Sequence, residues 1–295
     1  MKTKAFIYII IAGLLWGTSG IFVHYIAPYG ITSLQMTAVR GTVSFICIAS
    51  YLLMCNRKQF KTTLKDLILF AVVGIMLFLS AFLYYSAIQM TSISTAVILM
   101  YAAPIYVMIF SVIFLGESFS KLKLASLVLM IAGCCLVSGI IGGLKFNFLG
   151  ILLGFLSGIT YATYNVVTKI SMDRGNSPLS NTVYGFAFMA IIALSISKPG
   201  DIITVASTKP AVLVPLMIGL GIVTFVSPYF LYTLAMKDLP AGTASALGIV
   251  EPMAATVYSV ILFKEELTVF SAVGIILILG AVLLLAKAEG KGEKQ

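Results

Sequence analysis

The chain has 295 residues, 60% of them hydrophobic and 10% charged, with a net charge of +9 and a mean hydropathy of +1.10. These values exclude a soluble domain and leave an integral membrane protein, with room for roughly ten spans of about 20 residues and short connections. The excess of Lys and Arg does not indicate nucleic acid, because the bases are scattered over short connections with no run of them beside aromatics.

In chain order the apolar segments fall near 5 to 27, 32 to 54, 66 to 88, 92 to 115, 122 to 141, 148 to 170, 180 to 197, 211 to 235, 242 to 263 and 268 to 286. Between them stand helix breakers and polar residues: Pro28 and Gly30, the stretch from Asn56 to Lys61, Gly142 and Gly143, the stretch from Arg174 to Pro178, that from Lys198 to Asp201, and that from Lys237 to Pro240. No strand-length alternation recurs, which argues against a β-barrel and for an all-α integral membrane protein of ten transmembrane helices. Lys2 and Lys4 precede the first run as in a secretory signal, but the run is too long for one and has no small-x-small cleavage site, so it is expected to stay as the first span.

Basic residues set the orientation. With the first connection placed outside, fourteen Lys and Arg fall inside, four (Lys145, Lys198, Lys209 and Lys264) fall outside, and Arg40 lies within a span. This bias predicts that both termini are cytoplasmic, in a plasma or inner membrane.

The segment from Gly242 to Glu266 overlays that from Ser94 to Ser118 at an offset of 148, matching Thr95 with Thr243, Leu99 with Leu247, Pro104 with Pro252, Ser111 with Ser259 and Glu117 with Glu265. Gly13, Leu15 and Gly17 match Gly154, Leu156 and Gly158 at an offset of 141. Ten spans duplicated five plus five enter the membrane from opposite sides, so the repeat is inverted, an arrangement that puts a solute site near the midplane. The expected organisation is a first repeat over 1–143, a second over 144–288 and a short cytoplasmic tail over 289–295, around a central cavity.

Two charges occupy the central layer. At 1.5 Å per residue, Glu251 lies ~13 Å deep from one face and Arg40 ~12 Å from the other, in a ~30 Å core. An ionised carboxylate there costs at least ~2.5 kcal/mol, so it must face the bundle interior, be protonated or have a partner. On one reading Glu251 titrates with transport or meets a cationic group, and Arg40 meets an anionic group. On the other they pair with each other or anchor helices. Trp16, the only Trp, sits mid-span, as do Tyr101 and the Tyr161, Asn165, Thr168 face of the sixth span. With Tyr84, Tyr85, Tyr229 and Tyr232 these side chains suit either a cavity for a small amphipathic solute or helix packing.

Pro104 and Pro252 free backbone carbonyls and invite kinks that serve as hinges or remain static. Gly13 with Gly17, and Gly150 with Gly154 and Gly158, form small faces for close helix packing. Glu117 and Glu265 end their repeats as helix-end charges or as gate latches. Cys47, Cys55, Cys134 and Cys135 have no metal or redox spacing, and no hydrolase, metal or phosphate-loop motif is present, so neither an enzyme nor a cofactor or metal is expected.

The run Gly-Leu-Leu-Trp-Gly at Gly13 to Gly17, Arg40, Pro104 with Leu-Gly-Glu at Leu115 to Glu117, and Glu251-Pro252 with Lys264-Glu265-Glu266 resemble the EamA-type members of the drug/metabolite transporter superfamily over nearly the whole chain. The second repeat departs from this pattern, with Phe-Lys-Glu at 263 to 265 in place of Leu-Gly-Glu. The resemblance implies a ten-helix bundle whose central cavity moves amino acids or other small metabolites, often outward. The sequence therefore points to a secondary transporter, an exporter driven by its own gradient or by protons. Its candidate substrate-binding residues are Trp16, Arg40, Tyr85, Tyr101, Tyr161, Asn165 and Glu251. The rival is a lipid-handling membrane protein, a flippase or accessory subunit. Oligomeric state is not legible.

Overall fold

The computed structural model of the chain describes residues 2–91, 93–117, 120–138, 147–264 and 266–292. Among the described residues every regular element is helical. Hydrocarbon offers no partner to a peptide N–H or C=O, so a segment apolar enough to leave water satisfies its backbone internally, as a helix does.

The first expected span is α1 (Lys2–Gly17) and α2 (Ser19–Ile26), followed by α3 (Ser33–Cys55) and α4 (Leu64–Met90). Next come α5 (Ile93–Tyr101), α6 (Ala103–Leu115) and α7 (Lys121–Val137), then α8 (Phe148–Asp173), α9 (Pro178–Ile196) and α10 (Pro199–Thr208). A π-helical turn at Ile222–Val226 joins α11 (Pro210–Gly221) to α12 (Ser227–Ala235), and the chain continues through α13 (Ala241–Leu247), α14 (Val250–Phe263) and α15 (Val269–Gly292). Nine helical stretches among the described residues are long and apolar enough to cross a membrane, and their bounds fall within a few residues of the sequence expectation. The other expected segment, 122 to 141, is α7, 17 residues ending at Val137 with Ser138 as the cap; 139 to 146 lie outside the described residues. The repeat boundary at Gly143 and the side chain of Glu265 also lie outside them.

Local chemistry starts and stops these helices. Thr32 and Gln35 form a reciprocal capping box at the start of α3, and Thr63, Ser120, Asn147 and Ser177 cap α4, α7, α8 and α9. Gly116 closes α6 at φ 65°, a left-handed turn that glycine adopts without strain; Lys264 closes α14 at φ 56°. The departure of the second repeat from Leu-Gly-Glu thus puts a side chain into a conformation that suits glycine. One helix was not expected from the sequence: α10, short and largely exposed, lays Ile202, Val205 and Ala206 against a small apolar cluster formed with Ile26, Met36 and Leu220.

One end of the bundle, the terminus end, carries Lys2 and Glu289; the opposite end is the far end. The closest pairings are α4 with α8, α7 with α15, α3 with α9, α4 with α9, α1 with α12 and α14, and α8 with α5 and α6. The expected glycine faces are packing faces: a methyl group on Gly17 would lie 2.7 Å from the Ala254 Cβ, and one on Gly154 would lie 2.6 Å from Leu99. The tightest crossing between α7 and α15 involves glycines that the sequence reading did not single out. A methyl on Gly274 would lie 2.6 Å from the Gly133 carbonyl oxygen, and one on Gly133 would lie 2.7 Å from that of Gly274. Gly274→Val therefore forces α7 and α15 apart and should cost about 1–3 kcal/mol, as overpacking does. Gly20→Ala, where nothing lies within 4 Å, should be near neutral. Thermal unfolding of the two variants in one detergent checks the contrast.

Candidate functional site

Four of the spanning stretches are broken near mid-membrane, and the breaks lie together. Pro252 has no N–H for the Gly248 carbonyl, which instead accepts from the Glu251 N–H at 3.0 Å; this shift separates α13 from α14. Pro104 likewise has no N–H for the Met100 carbonyl, and the helix breaks at Ala102, whose own carbonyl accepts from the Ile105 N–H at 2.9 Å. At Thr18 the hydroxyl and the N–H both turn back to the Leu15 carbonyl, at 2.6 and 3.1 Å, ending α1. Pro228 leaves the Thr224 carbonyl without its usual donor beside the π-helical turn. The proline breaks were legible in the sequence. The Thr18 break and the π turn were not.

Irregular backbone in a membrane is tolerated where it is buried in protein or lines a cavity, and these breaks surround a cavity of about 570 Å³. Its volume is in the range of small-molecule sites. Trp16, Arg40, Tyr85, Tyr101, Tyr161 and Glu251, six of the seven expected substrate residues, line it together with Pro104. Asn165 does not: it is fully buried one turn below Tyr161, where it accepts from the Tyr232 hydroxyl and donates to the Tyr161 carbonyl at 2.8 Å. Pro252 is buried and shapes the site through its missing N–H. Phe225, Tyr229 and Ser245 also line the cavity. Tyr229 belongs to the aromatic set named from the sequence, whereas Phe225 and Ser245 carry no sequence signal that separates them from ordinary apolar or small helix positions.

Arg40 is 7% exposed. It donates to the Tyr85 hydroxyl at 3.4 Å, and its guanidinium carbon lies 5.5 Å from the centre of the Phe225 ring, a cation–π contact that offsets part of its desolvation. The Tyr101 hydroxyl faces the Glu251 carboxylate. No ion pair within 4 Å joins Arg40 to Glu251, so the two opposite charges stand apart in one chamber. The Arg40 Nε, the Trp16 indole N–H and the Ser245 hydroxyl are buried without a hydrogen-bond partner. Leaving such groups unmatched costs about 1–3 kcal/mol each.

The cavity extends to the far end, where Ser19, Gly20, Val23, Ser33, Ile88 and Gln89 line it. Toward the terminus end it meets an aromatic floor, with Trp16 5.1 Å from Tyr229 and 5.4 Å from Tyr232, ring centre to ring centre. Below that floor side chains tie the helix ends together. Glu117 accepts from the Ala241 N–H at 2.7 Å, Lys123 pairs with Glu289 at 2.6 Å, and the Tyr184 hydroxyl donates to the Phe60 carbonyl at 2.9 Å.

A model of the EamA-like transporter family matches this chain twice, over residues 3–139 and 148–287. The chain belongs to the EamA-like transporter family. Relatives of this EamA-like transporter include one from Archaeoglobus fulgidus, named only an uncharacterized transporter, 28% identical over 280 residues and 94% of each chain. Another, the uncharacterized transporter YwfM of Bacillus subtilis, is 24% identical over 286 residues, 97% of this chain and 94% of its own. A crystal structure 18% identical in sequence superposes with a TM-score of 0.78 over 96% of both chains, which shows a shared fold. The EamA-like transporter is a multi-pass membrane protein that carries a small-molecule solute, and it is not an enzyme.

The geometry predicts one-sided access. With the four native cysteines replaced by serine, Ser245→Cys in the cavity wall should react with a small membrane-impermeant thiosulfonate supplied from the far face. Thr168→Cys, which lies below the floor and is 1% exposed, should not. Equal labelling of both positions contradicts the assignment of the closed end.

Proposed function

We propose that this chain is a secondary transporter of a small polar metabolite such as an amino acid, acting as an exporter in the plasma membrane by alternating access of two inverted five-helix repeats. The observation that carries the proposal is the cavity of about 570 Å³, in which an arginine from the first half and a glutamate from the second face one chamber without pairing. Separated opposite charges, aromatic walls and unmatched buried donors suit a solute that carries a carboxylate, a cationic group and an apolar part. The burial of Arg40, Trp16 and Ser245 inside the bundle favours such a solute over a lipid that slides along the bilayer face.

In this reading α7 is the fifth of ten spans, the repeats cover 1–143 and 144–288, and 289–295 is a cytoplasmic tail. The helix pairings support it. Replacing each span by the one five further along turns α4–α8 into α1–α12, α4–α9 into α3–α11 and α6–α8 into α1–α14, all observed neighbours, and leaves α7–α15 and α3–α9 unchanged. Such exchange symmetry is what two halves that rock alternately about a shared site require. The fourteen-to-four excess of basic residues supports cytoplasmic termini, and the cavity then opens to the outside.

Glu251 is the group proposed to couple transport, by taking up a proton or the cationic part of the solute. Glu251→Gln, which keeps shape and removes charge, should reduce gradient-driven transport in proteoliposomes by at least tenfold while the protein still purifies as a folded species. Undiminished transport by that variant contradicts the role of Glu251. Movement of labelled phospholipid, with no soluble compound carried, would favour a lipid-handling protein instead.

A further inference from the structure

A second cavity, of about 320 Å³, opens at the terminus end and is lined by Lys169, Met172, Asp173, Asn176, Ser177 and Lys237. The same two helices connect it with the first. On α8, Tyr161 faces the large cavity, Asn165 lies one turn below, and Lys169 one turn below that borders the small cavity. On α12 the order is Tyr229, then Tyr232, then the helix end at Met236 and Lys237.

Two hydrogen-bonded rungs cross from one helix to the other between the cavities. In the first, the Tyr232 hydroxyl donates to the Asn165 side-chain oxygen, with both residues fully buried and Trp16 packed over the tyrosine ring. In the second, the Lys169 ammonium donates to the Met236 carbonyl at 2.8 Å while paired with Asp173 at 3.4 Å. That carbonyl ends a helix and has no intrahelical donor, so a lysine is a fitting partner for it. Elsewhere these helices belong to different blocks, α8 packing on α4, α5 and α6, and α12 on α1 and α9. α8 and α12 are not among the closely packed pairs, so their side chains, more than their backbones, hold this seam together.

We infer that the Asn165–Tyr232 and Lys169–Met236 rungs are the shut gate of the solute route, and that the small cavity is the vestibule on its other side. The inference rests on the transport reading and assigns Asn165 to the gate, not to the solute. Separating α8 from α12 parts these rungs and the Tyr164–Tyr229 ring contact, with no close backbone packing to undo, and joins the two cavities. Each rung is a hydrogen bond that water can replace once the seam is wet.

The test uses the full chain in proteoliposomes of defined orientation, with native cysteines replaced and Ser245→Cys as the reporter. Reaction with a small membrane-impermeant thiosulfonate is measured from each face. Tyr232→Phe combined with Lys169→Met, which removes one hydroxyl and one ammonium and keeps the bulk of both side chains, should raise the labelling rate from the terminus face at least tenfold. Lys169→Arg, which keeps a donor, should stay near the parent rate. An unchanged rate from the terminus face in a variant that still elutes as a folded species overturns the gate. Tyr232→Phe alone, lacking a single oxygen atom, should raise the rate at least threefold and decides the matter if the double variant does not fold. If Ser245→Cys reacts from neither face in the parent, the cavity is not a water-accessible solute site and the transport reading fails first.

Discussion

A peptide group in hydrocarbon has no water to bond, and this constraint organises the molecule. It makes every spanning segment helical, and it confines each interruption of a helix to places where protein or a cavity can receive the freed backbone groups. Here the interruptions at Thr18, Ala102, Gly248 and the π-helical turn converge, and the cavity lies where they meet. The interruptions and the two buried charges line one cavity.

That cavity also resolves the cost of burying Arg40 and Glu251. A lone charge inside a membrane is expensive, and the usual remedy is a direct pair. Instead Arg40 rests on the Phe225 ring and the Tyr85 hydroxyl, and Glu251 faces Tyr101. Each charge is partly satisfied by aromatic neighbours and remains open to a third party. The lower half of the bundle is tied together by side-chain bonds. There Asn165, Lys169, Glu117 and Glu289 each have a protein partner within hydrogen-bonding reach. In the chamber wall the Arg40 Nε, the Trp16 indole N–H and the Ser245 hydroxyl have no hydrogen-bond partner.

Much of this was legible in the sequence, for identifiable reasons. Span positions follow from hydropathy because the bilayer fixes their length, and the two proline breaks follow from a missing N–H. Arg40, Glu251, Trp16, Tyr85, Tyr101 and Tyr161 stood out because polar or amphipathic groups at mid-depth are costly unless they face something polar. The same logic placed Asn165 in the cavity, but a buried amide is equally content with a tyrosine, and Tyr232 supplies one from a helix 67 residues away. Phe225 and Ser245 were silent because phenylalanine and serine are ordinary in membrane helices; only the tertiary arrangement sets one under a guanidinium and the other in a cavity wall. The Gly133–Gly274 crossing was hidden because close approach is a property of two helices, and neither glycine belongs to a run of small residues at helical spacing.

The most direct measurement of the central claim, an enclosed site for a soluble solute between Arg40 and Glu251, uses Trp16. It is the only tryptophan in the chain, and it forms part of the cavity floor, so its emission reports on that chamber alone. Purified protein titrated with amino acids, polyamines, nucleosides, sugars and phospholipid headgroups should show a saturable change in emission with one soluble class, weakened at least tenfold in Glu251→Gln and in Arg40→Gln. An emission that no soluble compound alters, and that only lipid perturbs, would contradict the account.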